Sequence, residues 1–279
     1  MEPLRVVTIN TGKCDGPYRA RLAWLVEEVR RLRPDVLLCQ EVFREEGGER
    51  DTLEALKRGL GLQAAWAPAR HKQRACEGQE VTGWSGMALL SRHPWAYVDA
   101  LELPVDGRDG ERVAQVGLLE FGEQSVVFAN VHLTHLRDAD SLRKCQLQTV
   151  LSHPLLKMRQ ALRLIGCDFN ARHDGPLLSE FLAGATTGSL LDSYVAGRGA
   201  PERETLAPRD ESGGARPCVD FILSLAEDAE SHPVFRSSAV VLKNPDPKTK
   251  TLPSDHYGVA TTLVPLRMPA WRREQTLVT

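Results

Sequence analysis

The sequence has no excess of positive charge. Its 35 Lys and Arg residues are balanced by 37 Asp and Glu residues, and the formal net charge is −2 at pH 7. A protein that holds nucleic acid or an anionic membrane through its overall field needs a positive surplus, so any polyanion must be bound by a local group of side chains. The chain also has no apolar run near the ~20 residues of a membrane span, and no basic segment followed by an apolar stretch at its N-terminus. We therefore expect a soluble, cytoplasmic protein without a stable membrane anchor.

Closely spaced cysteine pairs are missing as well. None of the six cysteines forms a C-x-x-C motif, and two of them, Cys39 and Cys167, lie within apolar runs typical of strands. Small buried thiols are common in protein cores. We interpret the cysteines as reduced, structural residues.

The chain does contain enough apolar material for a large core. It has 279 residues, of which 42% are hydrophobic and 26% charged, a composition typical of globular proteins. A prior of ~150 residues per domain suggests two domains. The polar segments described below extend from Asn10 to His256, however, and if they share one site, neither half of the chain can fold around it alone. We therefore expect a single domain over residues 1–265 and a peripheral tail over residues 266–279.

The N-terminal segment has the pattern of a strand, a helix and a second strand. Residues 4–9 have the pattern of a buried strand, apolar residues then recur at helical spacing over 22–32 until Pro34, and residues 36–40 return to a strand pattern. Such a βαβ unit makes its two strands parallel. Asn10 and Glu41, which follow the two strands, should then lie at the same edge of one sheet.

The rest of the chain mixes strands with a few helices. Residues 67–84 are rich in polar and basic side chains and are interpreted as a long surface loop, and residues 197–217 as a mobile connection. Apolar patterning predicts helices at 51–60 and 138–151, and strands at 87–91, 97–103, 113–121, 125–132, 162–166, 219–225, 237–242 and 257–264. This order fits an α/β (α+β) fold in which two mixed β-sheets pack on each other and are covered by helices.

Polar and titratable side chains stand at the ends of five apolar runs. In α/β proteins, functional groups gather where buried strands end, so five such ends predict one shared site. The five segments end in Thr8-Ile9-Asn10, Gln40-Glu41, Asn130-Val131-His132, Asp168-Phe169-Asn170 and Ser254-Asp255-His256. A further acid, Asp220, lies inside an apolar strand.

The oxygen ligands in this set suit a hard divalent cation. Carboxylates and amides without thiolates favour Mg²⁺ or Mn²⁺ over zinc. Because magnesium takes only one or two protein carboxylates, Glu41 is the first predicted ligand and Asp255 or Asn10 the second. The remaining carboxylates are then available for proton transfer.

Two further pairs suggest acid–base chemistry. Asp168 and Asn170 are two residues apart just past a strand, so both can face one side, and an acid there can orient and deprotonate water. The buried carboxylate of Asp220 needs a partner. His256 would satisfy it, and the pairing would fix the ring tautomer and raise the histidine pKa. A cationic His256 beside a metal would bind the oxygens of a phosphoester and stabilise the transition state.

Taken in chain order, these motifs resemble those of the endonuclease/exonuclease/phosphatase superfamily, whose pattern runs T-x-N, Q-E, N-x-H, D-x-N, a strand Asp and S-D-H. Ser91-Arg92 after Gly86 and the pair Arg143-x-x-Gln146 match further family motifs. The resemblance covers residues 4–264. It implies a four-layer sandwich, deoxyribonuclease I-like, that hydrolyses phosphoesters with a divalent metal.

The resemblance also implies roles for single residues. Its N-x-H motif places the chain with the branch containing pancreatic deoxyribonuclease and the sphingomyelinases. Gly12 stands where many repair nucleases carry an acid, which leaves the number of metals open, and no acidic partner of the N-x-H histidine is evident. The implied roles are metal binding by Glu41 with Asn10 and Asp255 nearby, water activation by Asp168, phosphate binding by Asn170, and transition-state or leaving-group contacts by His132 and by His256, which Asp220 orients.

A basic cluster with a nearby aromatic residue has two interpretations. Arg70, Lys72, Arg74 and Trp84 would form a substrate rim, because cations and aromatic rings suit phosphates and stacked bases. The alternative is an ordinary solvated surface.

We expect a monomeric phosphodiesterase or phosphatase that depends on Mg²⁺ or Mn²⁺. Its substrate would be a phospholipid headgroup, a small phosphodiester or a nucleic acid, and the last would make it an endonuclease or exonuclease acting on DNA or RNA. The mild acidity disfavours the nuclease. A non-catalytic binding module on the same fold is a further alternative, against which the intact Glu41, Asp168 and His256 argue.

Overall fold

The computed structural model describes residues 2–182, 189–207, 217–228 and 231–264. The strands are β1 (Leu4–Asn10), β2 (Val36–Glu45), β3 (Gln63–Cys76), β4 (Gln79–Ser91), β5 (Trp95–Glu102), β6 (Val113–Phe121), β7 (Gln124–His132), β8 (Leu162–Asp168), β9 (Ser189–Asp192), β10 (Asp220–Ala226), β11 (Val234–Val241) and β12 (Gly258–Val264). The helices are α1 (Tyr18–Leu32), α2 (Thr52–Leu60), α3 (Asp140–Leu151), α4 (Pro176–Leu182) and α5 (Ser193–Ala196), with a 3₁₀ turn at Pro154–Lys157.

The described strands form two six-stranded mixed sheets. The first has the order β11-β12-β1-β2-β4-β3, and the second has the order β5-β6-β7-β8-β10-β9. Each contains one parallel pair, β1 with β2 and β7 with β8, among antiparallel neighbours. Asn10 pairs with Gln40 in the parallel register of β1 and β2. The predicted βαβ unit is therefore confirmed, and its two strands end at the same edge.

The two sheets stack face to face and are covered by helices on their outer faces. On β1, Val6 packs toward the second sheet with Phe128 of β7, whereas Val7 packs against Leu25 of α1. The outer face of the second sheet packs in the same way against α3 and α4. Strands that are buried on both faces carry nearly continuous apolar runs, and these runs made the strands recognisable in the sequence. The predicted sandwich of two mixed sheets is confirmed.

The prediction of a surface loop over residues 67–84 is wrong. These residues belong to the long antiparallel hairpin of β3 and β4, which turns at Glu77-Gly78, where both φ angles are positive. Much of the surface of this hairpin is exposed to solvent. Its side chains are accordingly polar, and the alternation of apolar and polar residues that marks a half-buried strand is missing.

Other predictions fall partly outside the described residues. The tail 266–279 lies there, as do residues 208–216 of the connection predicted at 197–217. The single-domain assignment stays a prediction. All six cysteines are free and five of them are buried. None of the described helices has the length and apolar character that crossing a bilayer requires.

Candidate active site

A cleft of about 360 Å³ opens where the two sheets present the ends of their central strands. In register, His132 of β7 lies beside Asp168 of β8, and Asp168 lies opposite Asp220 at the start of β10. Polar groups collect at these ends because both faces of each strand are buried along its length. The predicted residues that line the cleft are Asn10, Glu41, His132, Asp168, Asn170, Asp255 and His256.

Asp168 lies at the centre of this arrangement. Its Oδ2 atom accepts a hydrogen bond from Asn10 Nδ2 at 2.9 Å, and its Oδ1 atom accepts one from the backbone N–H of Asn170 at 2.9 Å. Burial raises the pKa of the carboxyl and outweighs the lowering by the His256 cation, while the neighbouring Asp220 adds to the rise. The carboxylate is thus fixed in orientation and is a stronger base than an exposed aspartate.

Asp220 and His256 form the pair predicted from the sequence. His256 Nδ1 donates to Asp220 Oδ2 at 3.0 Å, and the backbone N–H of Asp220 donates to Thr205 Oγ1 at 3.2 Å. Burial lowers the pKa of His256, but the carboxylates of Asp220 and Asp168 outweigh it and raise the pKa to about 10. The ring is therefore a cation at neutral pH, and its Nε2 atom lies 3.8 Å from Asp168 Oδ2.

His132 approaches the same carboxylate from the other side. Its Nε2 atom lies 3.5 Å from Asp168 Oδ2, so Asp168 is the acidic neighbour that the sequence could not identify. Burial, with the positive charges of Arg112 and Lys13, lowers the pKa of His132 well below its ordinary value. One neutral and one cationic imidazole thus flank a single carboxylate.

Glu41 lies in an irregularity of β2 that turns its side chain into the cleft. The register between β2 and β4 shifts between Cys39 and Val42, and the backbone of Glu41 has φ +54°. Its carboxylate pairs with Lys13 Nζ at 2.6 Å. Lys13 follows Gly12 in the turn after β1, and both residues have positive φ. The first predicted metal ligand is therefore paired with a cation of its own chain.

Asn10 and Asp255 lie beside each other at the end of β1. Ser254 Oγ donates to the backbone oxygen of Asn10 at 2.6 Å, which ties the S-D-H segment to this strand. A Cβ atom added at Gly12 would lie 2.8 Å from Asp255 Oδ1. The space beside Gly12 is thus filled by the Asp255 carboxylate, which reaches it from another segment.

Asn170 follows Asp168 with a left-handed backbone. Its φ is +48°, and its Nδ2 atom donates to the backbone oxygen of Leu133 at 3.1 Å. One amide proton is used in this contact and the other is available to a ligand. The amide group is consequently held at the cleft rather than extended into solvent.

The donor set fits a divalent cation. Asp168 and Asp220 are both about 1% exposed and share the single cation of His256, so the buried cluster has a surplus negative charge. These three residues also have ligand atoms within 4.8 Å of one another, but a protonated imidazole cannot coordinate a metal. Hard oxygen ligands also line the cleft, on Asn10, Glu41 and Asp255.

The three basic residues of the predicted rim also line the cleft, and the aromatic residue does not. Arg70, Lys72 and Arg74 face it from β3. Trp84 pairs in register with His71, and the two rings pack at an angle of 39° with centroids 4.6 Å apart. Because alternate residues of a strand point to opposite faces, Trp84 lies on the other face of the hairpin.

Several motif residues join the two sheets instead of entering the cleft. Gln40 Nε2 donates to Thr8 Oγ1 at 2.9 Å and to Asn130 Oδ1 at 2.7 Å. Asn130 Nδ2 in turn donates to the backbone oxygens of Cys39 and Ala88, on the opposite sheet. This buried network fixes how the strand ends of the two sheets meet.

The R-x-x-Q motif on α3 supports the segment after His132. Gln146 Oε1 accepts a hydrogen bond from the backbone N–H of Thr134 at 2.9 Å, and Arg143 Nε donates to the backbone oxygen of the same residue at 3.0 Å. The motif therefore positions the loop that follows β7.

Sequence reasoning missed Arg21, a buried arginine on α1. Its guanidinium ties the turn after β1 to the loop that carries Asp255, and burial lowers its pKa. A signal was present, because Arg21 lies on the apolar stripe of α1 with Leu25 and Val29, where an arginine needs specific partners. The carbonyl groups that accept its hydrogen bonds belong to Thr11, Gly12, Lys13, Asp15 and Pro253.

Solved structures with the same fold are numerous. One is an endonuclease/exonuclease/phosphatase family protein from Leptotrichia buccalis, which is 18% identical in sequence. The alignment covers 94% of this chain and 99% of that protein, with a TM-score of 0.71. The human Nocturnin catalytic domain with a bound sulfate anion has 20% identity, 94% coverage of both chains and a TM-score of 0.71. TDP2 of Caenorhabditis elegans has 18% identity, covers 94% of this chain and 74% of its own, and has a TM-score of 0.69.

A comparison with curated protein sequences gives no match. The sequence pattern of the Endonuclease/Exonuclease/phosphatase family, in contrast, matches residues 7–256, which is nearly the whole chain. The matched range begins in β1 and ends at His256, so it contains every strand end that meets at the cleft. The protein is a member of the endonuclease/exonuclease/phosphatase family.

Proposed function

We propose that this protein is a phosphoester hydrolase that depends on Mg²⁺ or Mn²⁺. The observation that carries the proposal is the position of Asp168, a buried carboxylate with a raised pKa between cationic His256 and neutral His132. The Asp168 carboxylate can act as a base that activates water. The cationic ring of His256 and the neutral ring of His132 can stabilise a phosphoryl group in the same open cleft. Family membership supports this chemistry, as does the sulfate bound to the human Nocturnin domain, since sulfate resembles phosphate.

Asp168 activates the attacking water in this proposal. The carboxylate accepts a proton from the water as the water oxygen attacks phosphorus, and the bond from phosphorus to the leaving oxygen breaks. Hydrogen bonds from Asn10 and Asn170 hold the carboxylate in one orientation. Its raised pKa makes it a more effective proton acceptor.

The histidines and Asn170 stabilise the phosphoryl group. His256 is held through Nδ1 by Asp220, so its Nε2–H is the proton it can direct at a phosphoryl oxygen. Neutral His132 contacts the phosphoryl or leaving oxygen from the opposite side. The second amide proton of Asn170 provides a further hydrogen bond.

Glu41, with Asn10 and Asp255, would hold the divalent metal. When bound, the metal would neutralise charge on the phosphoryl oxygens and polarise the phosphoester. Lys13 provides a counter-ion for Glu41 in the metal-free protein.

An isosteric change at Asp168 tests the proposal. Asp168→Asn removes the proton acceptor with little change in shape, so kcat should fall by about 10³-fold or more with Mg²⁺ or Mn²⁺. The substrates are bis-p-nitrophenyl phosphate, plasmid DNA, sphingomyelin and phosphoinositides, each also assayed with EDTA.

Asp106→Asn is the matched control, because Asp106 is a surface acid outside the cleft and should leave kcat unchanged. Failure of the wild-type protein to hydrolyse any of the four substrates would overturn the proposal in favour of a binding module. Equal rates for wild type and Asp168→Asn would show that Asp168 does not activate the water.

A further inference from the structure

Three basic side chains project from one face of β3 into the cleft. Arg70, Lys72 and Arg74 occupy alternate positions of the strand, so they share one of its faces, and all three line the cleft. We refer to these three residues as the basic strand. None of them participates in the proposed steps at the scissile phosphate.

The neighbouring strand places small residues beside Arg70 and Lys72. Arg70 pairs in register with Ser85 on β4, and Lys72 pairs with Gly83. Cross-strand partners share a face, so small residues stand beside the two cations. Arg74 Nη2 donates to Ser85 Oγ at 2.9 Å, while its Nε is buried without a hydrogen-bond partner among the described residues.

Within the described part of the chain, the basic strand has no close ion pair, although the carboxylates of Glu41 and Asp15 act on Arg74 at longer range. Among the described residues, no carboxylate forms an ion pair within 4.0 Å of the basic strand, whereas Arg44, Arg50 and Arg112 each have an acidic partner. The cation of Arg74, followed by burial and the cation of Arg70, lowers the pKa of Lys72. Cations held together in this way repel each other, and an anion placed among them would relieve the repulsion.

We propose that the basic strand binds a second phosphate group of the substrate, distinct from the scissile phosphoester. The inference rests on the proposed function, because it concerns the same cleft. Arginine offers paired donors to phosphate oxygens and lysine adds a compact charge, so two arginines and one lysine suit a dianion better than a single carboxylate.

The substrate class that follows is a small molecule with two phosphate groups. A cleft of about 360 Å³ is at the size of a small-ligand site. A polynucleotide is typically held through many backbone contacts, on the order of 6–10 phosphates. Three cations on one strand of the cleft, in a chain with net charge −2, favour the small bisphosphate.

Binding of inorganic pyrophosphate in EDTA tests the basic strand without turnover. Calorimetric titration of the full chain should give a Kd at least ~10-fold higher for Lys72→Gln and for Arg70→Gln than for wild type. Arg236→Gln is the matched control, an exposed arginine on β11 at the opposite edge of the same sheet, and should bind as wild type does. An unchanged Kd in both basic-strand variants would overturn the inference.

A substrate comparison assigns the class. For wild type, kcat/KM should be at least ~10-fold higher for adenosine 3′,5′-bisphosphate than for adenosine 5′-monophosphate. Lys72→Gln should lose this preference, whereas the Arg236→Gln control should keep it. A preference for a single-stranded oligonucleotide over the bisphosphate, lost in Lys72→Gln, would overturn the small-molecule class.

The two experiments separate this inference from the proposed function. Pyrophosphate binding that depends on Lys72, in a protein that hydrolyses nothing, would refute the hydrolase and retain the phosphate site. If the protein hydrolysed bis-p-nitrophenyl phosphate but pyrophosphate binding were unaffected by both variants, the hydrolase would be retained and the phosphate site refuted.

Discussion

Asp168 receives contacts from groups that come from separate parts of the chain. Asn10 lies at the end of β1, His132 at the end of β7 and His256 just before β12. These contacts act differently on the Asp168 carboxyl. The amide of Asn10 fixes its orientation, and the cationic ring of His256 opposes the rise in its pKa that burial causes. The reactivity of this residue is therefore a property of its neighbours, and changing any of them should alter it.

His256 should remain protonated far above the ordinary range of a histidine. In metal-free protein its pKa is raised from 6.5 to about 10, because the carboxylates of Asp220 and Asp168 outweigh the effect of burial. The charged ring thus adds stability that is fully present below pH 6.5 and is lost as the pH rises through about 10. NMR titration of the ring protons in EDTA measures this pKa.

Asp220→Asn is the companion variant for that titration. Removing the partner charge should move the His256 titration to lower pH, while the Asp106→Asn control leaves it in place. A ring that titrates near pH 6.5 in wild type as well as in Asp220→Asn would contradict the prediction.

Residues at the ends of apolar runs could be predicted because burial of both strand faces leaves few places for polar groups. The pairing of Asp220 with His256 followed from the same argument, since a buried acid needs a partner. The position of Trp84 could not be predicted. A register shift between Pro68 and Arg70 helps set which face each hairpin residue occupies, and a slip of one residue exchanges the faces.

At the scale of elements, the two sheets are joined by a buried polar network centred on Asn130. Its side chain bonds to Gln40 and to two backbone oxygens of the other sheet. Apolar contacts alone would let the sheets slide over each other, because they have no preferred direction. The network thus gives the cleft a defined geometry.

Asn130→Ala should therefore destabilise the fold. It leaves two buried carbonyl groups and one buried amide without their partner, and the free energy of unfolding should fall by roughly 2–4 kcal/mol. Urea denaturation measures the change. Asn244→Ala, at an exposed position, should stay within about 0.5 kcal/mol of wild type. Equal losses in the two variants would contradict the role of the network.

Elements with two buried faces or a clear helical stripe were among those that the sequence predicted. The βαβ unit and α3 belong to this group. Residues 67–84 of the β3 and β4 hairpin were missed because much of this part is solvated and its polarity is typical of a loop as well, whereas the buried end of β4 at 87–91 was predicted as a strand. A signal was present at Glu77-Gly78, where glycine permits the positive φ of a tight turn.

At the scale of the whole molecule, the cleft is built from both sheets and from segments near both ends of the described chain. Asn10 belongs to the first strand and His256 precedes the last. A metal held by Glu41, Asn10 and Asp255 would connect three segments that are distant in sequence. Ligands that bind only the folded state stabilise it, so metal binding should strengthen the entire fold.

Added Mg²⁺ or Mn²⁺ should raise the Tm. At a metal concentration of 100 times Kd the gain is about 2.7 kcal/mol, equivalent to roughly 5–10 °C for a chain of this size. Calorimetry with and without EDTA measures the shift. Glu41→Gln should abolish most of it, whereas Glu102→Gln, at an exposed site outside the cleft, should retain it. A full shift in Glu41→Gln would show that the metal binds elsewhere.

The position of β3 has a consequence for the behaviour of the protein in concentrated solution. β3 is the last strand of the first sheet, so its outer edge has no strand partner among the described residues. Exposed strand edges promote aggregation by pairing with strands of other molecules. Proline at position 68 and the basic side chains along this edge oppose such pairing. The charges that we assign to phosphate binding therefore also oppose pairing of this edge with another copy, and neutralising all of them at once would leave the edge less protected.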